Sequence, residues 1–239
     1  MSAPRVALVT GADIAVNDIP SKGDQIASVV KAIEAKGRRA IAVPGDISSE
    51  ADVIAVIEKV VDDLGGLDVM VANAGILAVR PLVDMSVDEW DRVMAINARG
   101  VMLSYKHAAR QMIKQGRGGR IIGACSAAGK KGLGNGSAYS ASKFAVRGLT
   151  QSAAQELAKY KITVNCYAPG GIMTSIGLLP DDEKNGGPGS TAKQLFGLPA
   201  DMDVAEPAVI ASIVSYLVKP EAYFISGQSI NVNGGVLFD

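Results

Sequence analysis

The sequence predicts an α/β fold, a doubly wound parallel sheet in a single domain spanning residues 1–239. Three observations carry this. Short apolar runs recur along the chain, continuous rather than alternating, as in strands buried on both faces. Longer segments between them place apolar residues three and four apart, as in helices with one buried stripe. The 239 residues are 48% hydrophobic and 20% charged, which suffices for a sizeable core and is too apolar for a disordered chain.

In chain order, strands are expected at Val6–Val9, Ile41–Val43, Val69–Ala72, Ile121–Ala124, Thr163–Tyr167 and Ile230–Val232. Each is brief, rich in β-branched or small apolar residues, and bounded by Gly, Pro, Asp or Asn. Helices are expected at Lys22–Lys36, Glu50–Leu64, Val87–Lys114, Ala138–Lys159 and Pro207–Val218. The first presents Ile26, Val29, Val30 and Ile33 on one face, and the second Val53, Val56, Ile57 and Val60. Residues 175–202 show no clear periodicity and hold Gly186-Gly187-Pro188-Gly189. A loop this long in a compact domain is a lid, a binding loop or disordered; because it precedes the last helix and strand, it reads as an excursion within the one domain.

Composition narrows the chemistry. Twenty-four basic and 24 acidic side chains cancel, which argues against a nucleic-acid surface. One histidine, His107, excludes a histidine-rich metal site, and no metal is expected. Cys125 and Cys166 are too few and too far apart in the chain for a disulfide framework. No apolar run approaches the ~18 residues of a membrane span, so a soluble, cytoplasmic protein is the expectation.

Ligands of parallel sheets bind beyond the carboxyl ends of the strands, and there the chain offers reactive groups. Tyr139 and Lys143 are four apart at the start of a helical pattern, on one helix face. An ammonium beside a phenol favours the phenolate, which makes tyrosine a usable acid or base near neutrality. Ser126 follows the Ile121–Ala124 strand. A strand-end hydroxyl and a helix-borne phenol can converge on one carbonyl oxygen. Singly, each also reads as a loop serine and a packed aromatic. Trp90, Tyr105 and His107 lie in helical pattern and read as packing or surface residues.

Together these pieces resemble the short-chain dehydrogenase/reductase family. The matching segments are Asn73-Ala74-Gly75, Asn97 within Ile96-Asn97-Ala98, Ser126, Tyr139-Ser140-Ala141-Ser142-Lys143, Pro169-Gly170, and Val232-Asn233-Gly234-Gly235. In the last, Asn233 stands where the family usually has Asp. The resemblance implies a Rossmann-like fold and a catalytic tetrad. Tyr139 would be the general acid in reduction and base in oxidation. Lys143 would lower its pKa and touch the nicotinamide ribose. Ser126 would hold the carbonyl, and Asn97 a water leading from Lys143 to solvent. A polar helix residue satisfying backbone groups is the other reading of Asn97.

It also implies a nicotinamide cofactor touched by Gly11, Asp46, Asn73, Gly75, Pro169, Gly170 and Thr174, besides Tyr139 and Lys143. Asp46 would accept from the adenine amine, although it also reads as a helix N-cap. Asp18 would bond the ribose 2′-hydroxyl and repel a 2′-phosphate, favouring NAD(H) over NADP(H); it otherwise reads as a solvated loop residue. The segment Lys143–Gln151 and Ala168-Pro169-Gly170 look most like diacetyl/acetoin (2,3-butanediol) reductases, implying a small ketone or hydroxyketone substrate. A 3-oxoacyl or sugar-alcohol reductase is the runner-up, and a noncatalytic remnant the alternative from another class. A homodimer or homotetramer is implied as well.

One family feature is missing. Members begin with a strand and then Thr-Gly-x-x-x-Gly-x-Gly opening a helix. This chain runs Val6-Ala7-Leu8-Val9-Thr10-Gly11-Ala12 directly into Asp13-Ile14-Ala15-Val16-Asn17-Asp18, which look like the family's second strand. The N-terminal βαβ unit is thus truncated between Ala12 and Asp13, with the first helix lost, and impaired cofactor binding is expected. Parallel neighbours need a crossover of about a dozen residues. Either the two segments form an antiparallel hairpin turning at Gly11-Ala12, or one of them is not a strand.

Overall fold

The computed structural model describes residues 12–238. The expected strand Val6–Val9 and the candidate Gly11 lie outside them. The described chain begins with strand β1 (Ile14–Val16), helix α1 (Gly23–Glu34) and β2 (Ala40–Ala42), then α2 (Glu50–Leu64) and β3 (Val69–Ala72). Next come α3 (Val87–Met94), α4 (Gly100–Gln115), β4 (Gly119–Ala124), α5 (Ser137–Leu157) and β5 (Ile162–Pro169). The chain closes with α6 (Ser190–Leu195), α7 (Ala208–Leu217) and β6 (Ser229–Val232). Local chemistry sets the ends of α2. Ser49 Oγ accepts from the Asp52 amide at the start, and Gly65, at φ 83°, takes the left-handed turn at the finish.

Every described ladder is parallel. β1 pairs with β2, from Ile14 opposite Ala40 to Val16 opposite Ala42. The order β3-β4-β5-β6 forms a second set, with Ala72 opposite Gly123, Ala124 opposite Tyr167 and Pro169 opposite Val232. Among the described residues no ladder joins β1 to β3. The Asp13–Asp18 segment therefore does supply a strand, and its partner is β2 through the α1 crossover.

Helices cover both faces, but not equally. On one face α2, α4 and α5 share a single core that includes Val43, Ile57, Met112, Ile121, Val146 and Val164. On the other, Val29, Ile33 and Ala40 pack with Ile14 and Val16 under α1. Ile122, Ala124, Tyr167, Val214 and Leu217 form a separate cluster under α7. Nothing among the described residues bridges these two.

The expected Val87–Lys114 helix runs without a break but carries a π-helical turn, Ala95–Arg99, between α3 and α4. Such bulges realign backbone groups and occur often at functional sites. Residues 175–202, the expected excursion, contain α6. Asp182 organises them, its carboxylate accepting from the amides of Leu179, Gly189 and Thr191 at 2.9–3.0 Å. These donors, Gly189 first, hold its pKa down at about 2. The excursion is tied at its base, where Met173 N donates to Ala205 O and Ala205 N to Gly171 O.

Candidate active site

Parallel strands all finish at one edge of the sheet, so the residues that follow them are neighbours by construction. Ser126 follows β4 and caps a short turn, its Oγ accepting from the Ala128 amide at 3.1 Å. That turn is pressed onto α5 at Gly129, where a Cβ would lie 2.7 Å from the Lys143 carbonyl oxygen and against Cys125 Sγ. Glycine here lets the Ser126 turn and the Lys143 helix approach closely.

Lys143 is 3% exposed. Its Nζ donates to the Ala124 carbonyl at 2.8 Å and lies 5.5 Å from the centroid of the Tyr139 ring. A buried cation costs heavily unless hydrogen-bonded, and the end of β4 supplies that acceptor. A cation this close to the ring also meets its negative face. The helical spacing expected of Tyr139 and Lys143 is thus realised on α5, with Tyr139 half-buried.

Asn97 sits in the π-helical turn with 0% exposure. Its Oδ1 accepts from Ile76 N and its Nδ2 donates to Ile76 O, both at 2.8 Å. Nδ2 also lies 3.2 Å from Ser142 Oγ, which donates to the Tyr139 carbonyl at 2.7 Å. The side chain therefore satisfies backbone groups, the plainer of its two sequence readings. It thereby fastens the loop after β3 to the first turn of α5. Ser142 was not singled out on the sequence, although it lies inside the Tyr139–Lys143 segment. The π-turn has no sequence signal at all.

The same edge brings in the remaining candidates. At Gly75 a Cβ would lie 3.2 Å from Asn97 Oδ1 and 3.5 Å from Lys143 Nζ, so the chain passes beside both. Asn73 Oδ1 accepts from the Tyr167 hydroxyl at 2.6 Å, a partner that sequence reasoning missed. Gly170 donates its amide to Val232 O at 3.1 Å, and a Cβ on it would lie 3.0 Å from Asn233 Cα. Pro169 ends β5 just before it. Thr174 is half-buried at the start of the excursion, with Oγ1 3.5 Å from Ile172 O. A cavity of about 350 Å³ opens beside Gly75, between Leu77, Glu89, Arg92 and Ile176.

At the far end of the edge, Asp18 and Asp46 follow β1 and β2. They are held together by Gly45 N donating to Asp18 O at 3.0 Å and Asn17 Nδ2 to Val43 O at 2.7 Å. Asp18 is exposed. Asp46 is not the N-cap of α2, which is Ser49; its Oδ1 accepts instead from Ser48 N and Ser48 Oγ. The Cys125 and Cys166 thiols, distant in sequence, are neighbours, Cys125 just after β4 and Cys166 within β5. Their mutual hydrogen bond, together with burial, pushes Cys166 above its ordinary value. His107 is buried and paired with Glu50, whose carboxyl is held at about 2 by Lys106 and His107.

Residues 5–181 match the family described as short chain dehydrogenase. A short-chain dehydrogenase/reductase of Armillaria gallica is 44% identical over 259 positions, covering 100% of this chain and 98% of the relative. An L-2,3-butanediol dehydrogenase of Corynebacterium glutamicum is 38% identical over 233 positions, covering 96% and 90%. Among solved structures, acetoin dehydrogenase from Enterobacter cloacae superimposes with a TM-score of 0.79 at 35% identity, over 94% of this chain and 86% of that one. A short chain dehydrogenase from Burkholderia cenocepacia in complex with NADP gives 0.82 at 32%, over 94% and 87%.

Among the described residues, those that fit a nicotinamide dinucleotide lie at its ring end, where Lys143 Nζ and the Tyr139 ring meet beside Gly75. A Cβ at Gly75 or Gly170 would crowd Asn97 or Asn233, so glycine there lets the backbone pass close to those residues. At the phosphate end no described helix follows a strand with a glycine-rich turn.

Proposed function

Since the chain belongs to the short-chain dehydrogenase/reductase family, we propose that it interconverts a small ketone or hydroxyketone and its alcohol, with Tyr139 as general acid/base. The observation that carries this reading is Lys143 Nζ, buried between the end of β4 and the Tyr139 ring. The fixed cation stabilises phenolate as Tyr139 gives its proton to the carbonyl oxygen, and returns the phenol when the proton comes back. Ser126 shares the developing oxygen charge by donating its hydroxyl hydrogen. Asn97 acts by position, holding Ile76 and the Tyr139 turn in one frame. The nicotinamide cofactor, when bound, supplies the hydride.

The likeness to a butanediol dehydrogenase and an acetoin dehydrogenase supports a vicinal hydroxyketone as the substrate. Asp18, exposed after β1, supports NAD(H), since a carboxylate there repels a 2′-phosphate; the Burkholderia neighbour holds NADP. Exposed Leu82, Val83 and Val87 beside α3 and Phe144 on α5 support a homodimer or homotetramer. Among the described residues no helix is long and apolar enough to cross a membrane, and a cytoplasmic location is part of the proposal.

The test is a substrate panel with millimolar NADH or NADPH. Reduction of 2,3-butanedione in preference to a 3-oxoacyl thioester, faster with NADH, supports the reading. Preference for the thioester moves the chain to the runner-up class. No reduction of any substrate makes it a noncatalytic remnant.

A further inference from the structure

We infer that this chain has lost the grip on the cofactor's pyrophosphate while keeping the nicotinamide end of the site, so that dinucleotides bind it weakly. The inference rests on the hydride-transfer reading only for the identity of the ligand; two separate observations carry it.

First, a pyrophosphate is held where a strand turns tightly into a helix whose free amides and dipole face the charge. Only four residues, Thr10 to Asp13, separate Val9 from Ile14, which opens β1. Four residues are little more than one helical turn and fall well short of the dozen or so that a parallel crossover needs. The Armillaria alignment agrees in size. Its 259 positions accommodate the 239 residues of this chain with about 20 positions left over.

Second, the helices that do begin at this end of the edge are unsuited to replace it. α1 starts after Asp18 with Asp24 in its first turn, and α2 starts after Asp46 with Asp52 in its first turn, next to Glu50, which is paired with Lys106 and His107. The Asp24 and Asp52 carboxylates already answer the helix dipoles, and they repel an incoming diphosphate.

The experiment titrates the purified chain with NADH, reading nicotinamide fluorescence, and compares it with reduced nicotinamide riboside, which has no phosphate. A Kd for NADH above about 100 µM, within about tenfold of the riboside, supports the inference. A Kd below that value overturns it. A variant with the corresponding ~20-residue segment of the Armillaria relative inserted between Ala12 and Asp13 locates the defect. If folded by circular dichroism, it binds NADH at least ~10-fold more tightly than the natural chain; a folded variant with unchanged affinity overturns the assignment. Should the insertion not fold, the riboside comparison decides alone. Failure of the hydride-transfer reading looks different. The inserted variant would then bind NADH tightly yet reduce no carbonyl.

Discussion

Among the described residues, the two faces of the sheet are packed differently. One carries a single core from Val43 through Ile121 to Val164, and the helix bearing Tyr139 and Lys143 is bolted onto it. The other carries a small described cluster under α1 and a second under α7. The difference teaches that proton transfer and cofactor grip are separable in this fold. Side chains on α5 and the end of β4 assemble the first, whereas the second needs a helix from the opposite layer.

The sharpest way to break the comparison is at Tyr139. Tyr139→Phe removes the only hydroxyl offered as proton donor and leaves the packing of α5 in place. Carbonyl reduction at millimolar cofactor should fall at least ~100-fold, with an unchanged circular dichroism spectrum. An unaltered rate would show that the continuous face does not carry the chemistry.

Stability separates the faces next. Ile121 is 0% exposed in the continuous core, and Ile121→Ala should cost about 2–5 kcal/mol through lost burial and a cavity. Ile213 only partly covers the α7 cluster, so Ile213→Ala should cost less than about 2 kcal/mol, because part of its surface already meets water. Urea denaturation of both variants measures the gap; equal losses would mean that the faces are equally packed.

A smaller effect belongs to acid. The Asp182 carboxyl is depressed from 3.8 to about 2 by amide donors that exist only in the folded excursion. A lowered folded pKa gives stability that is fully present above the unfolded value and is lost as pH falls toward 2. The natural chain should therefore lose excursion stability between about pH 4 and 2, followed by limited acid proteolysis with pepsin. Asp182→Asn should be cleaved more readily at pH 4 and show a flatter dependence below it. The smallest effect is expected for Tyr167→Phe. It removes the 2.6 Å bond to Asn73 and should cost about 0.5–1.5 kcal/mol, read as a shift in the urea midpoint.

Much of this was legible before any coordinates. Apolar runs such as Val69–Ala72 and periodic segments such as Glu50–Leu64 became the expected elements with the expected ends, because burial on both faces and a single apolar stripe leave direct marks in sequence. Tyr139, Lys143 and Ser126 were legible because helical spacing and strand ends fix where side chains lie. The π-turn at Asn97 was not, since its cause is tertiary: the Asn97 amide must reach the backbone of Ile76, 21 positions away in the chain. Asp182 was missed for a similar reason. An aspartate among loop formers looks solvated until the amides of Gly189 and Thr191 fold back onto it. The close spacing of Val9 and Ile14 was visible in the sequence alone.

Hydrogen exchange of the natural chain, with and without millimolar NADH, tests the central claim most directly. Amides of β4, β5 and α5 should exchange slowly, while those of β1, α1 and β2 exchange through easier local opening. NADH should add protection around Gly75 and Lys143 and leave β1 and α1 unchanged. Equal protection of both regions without cofactor, or strong NADH-dependent protection of β1 and α1, would contradict the account.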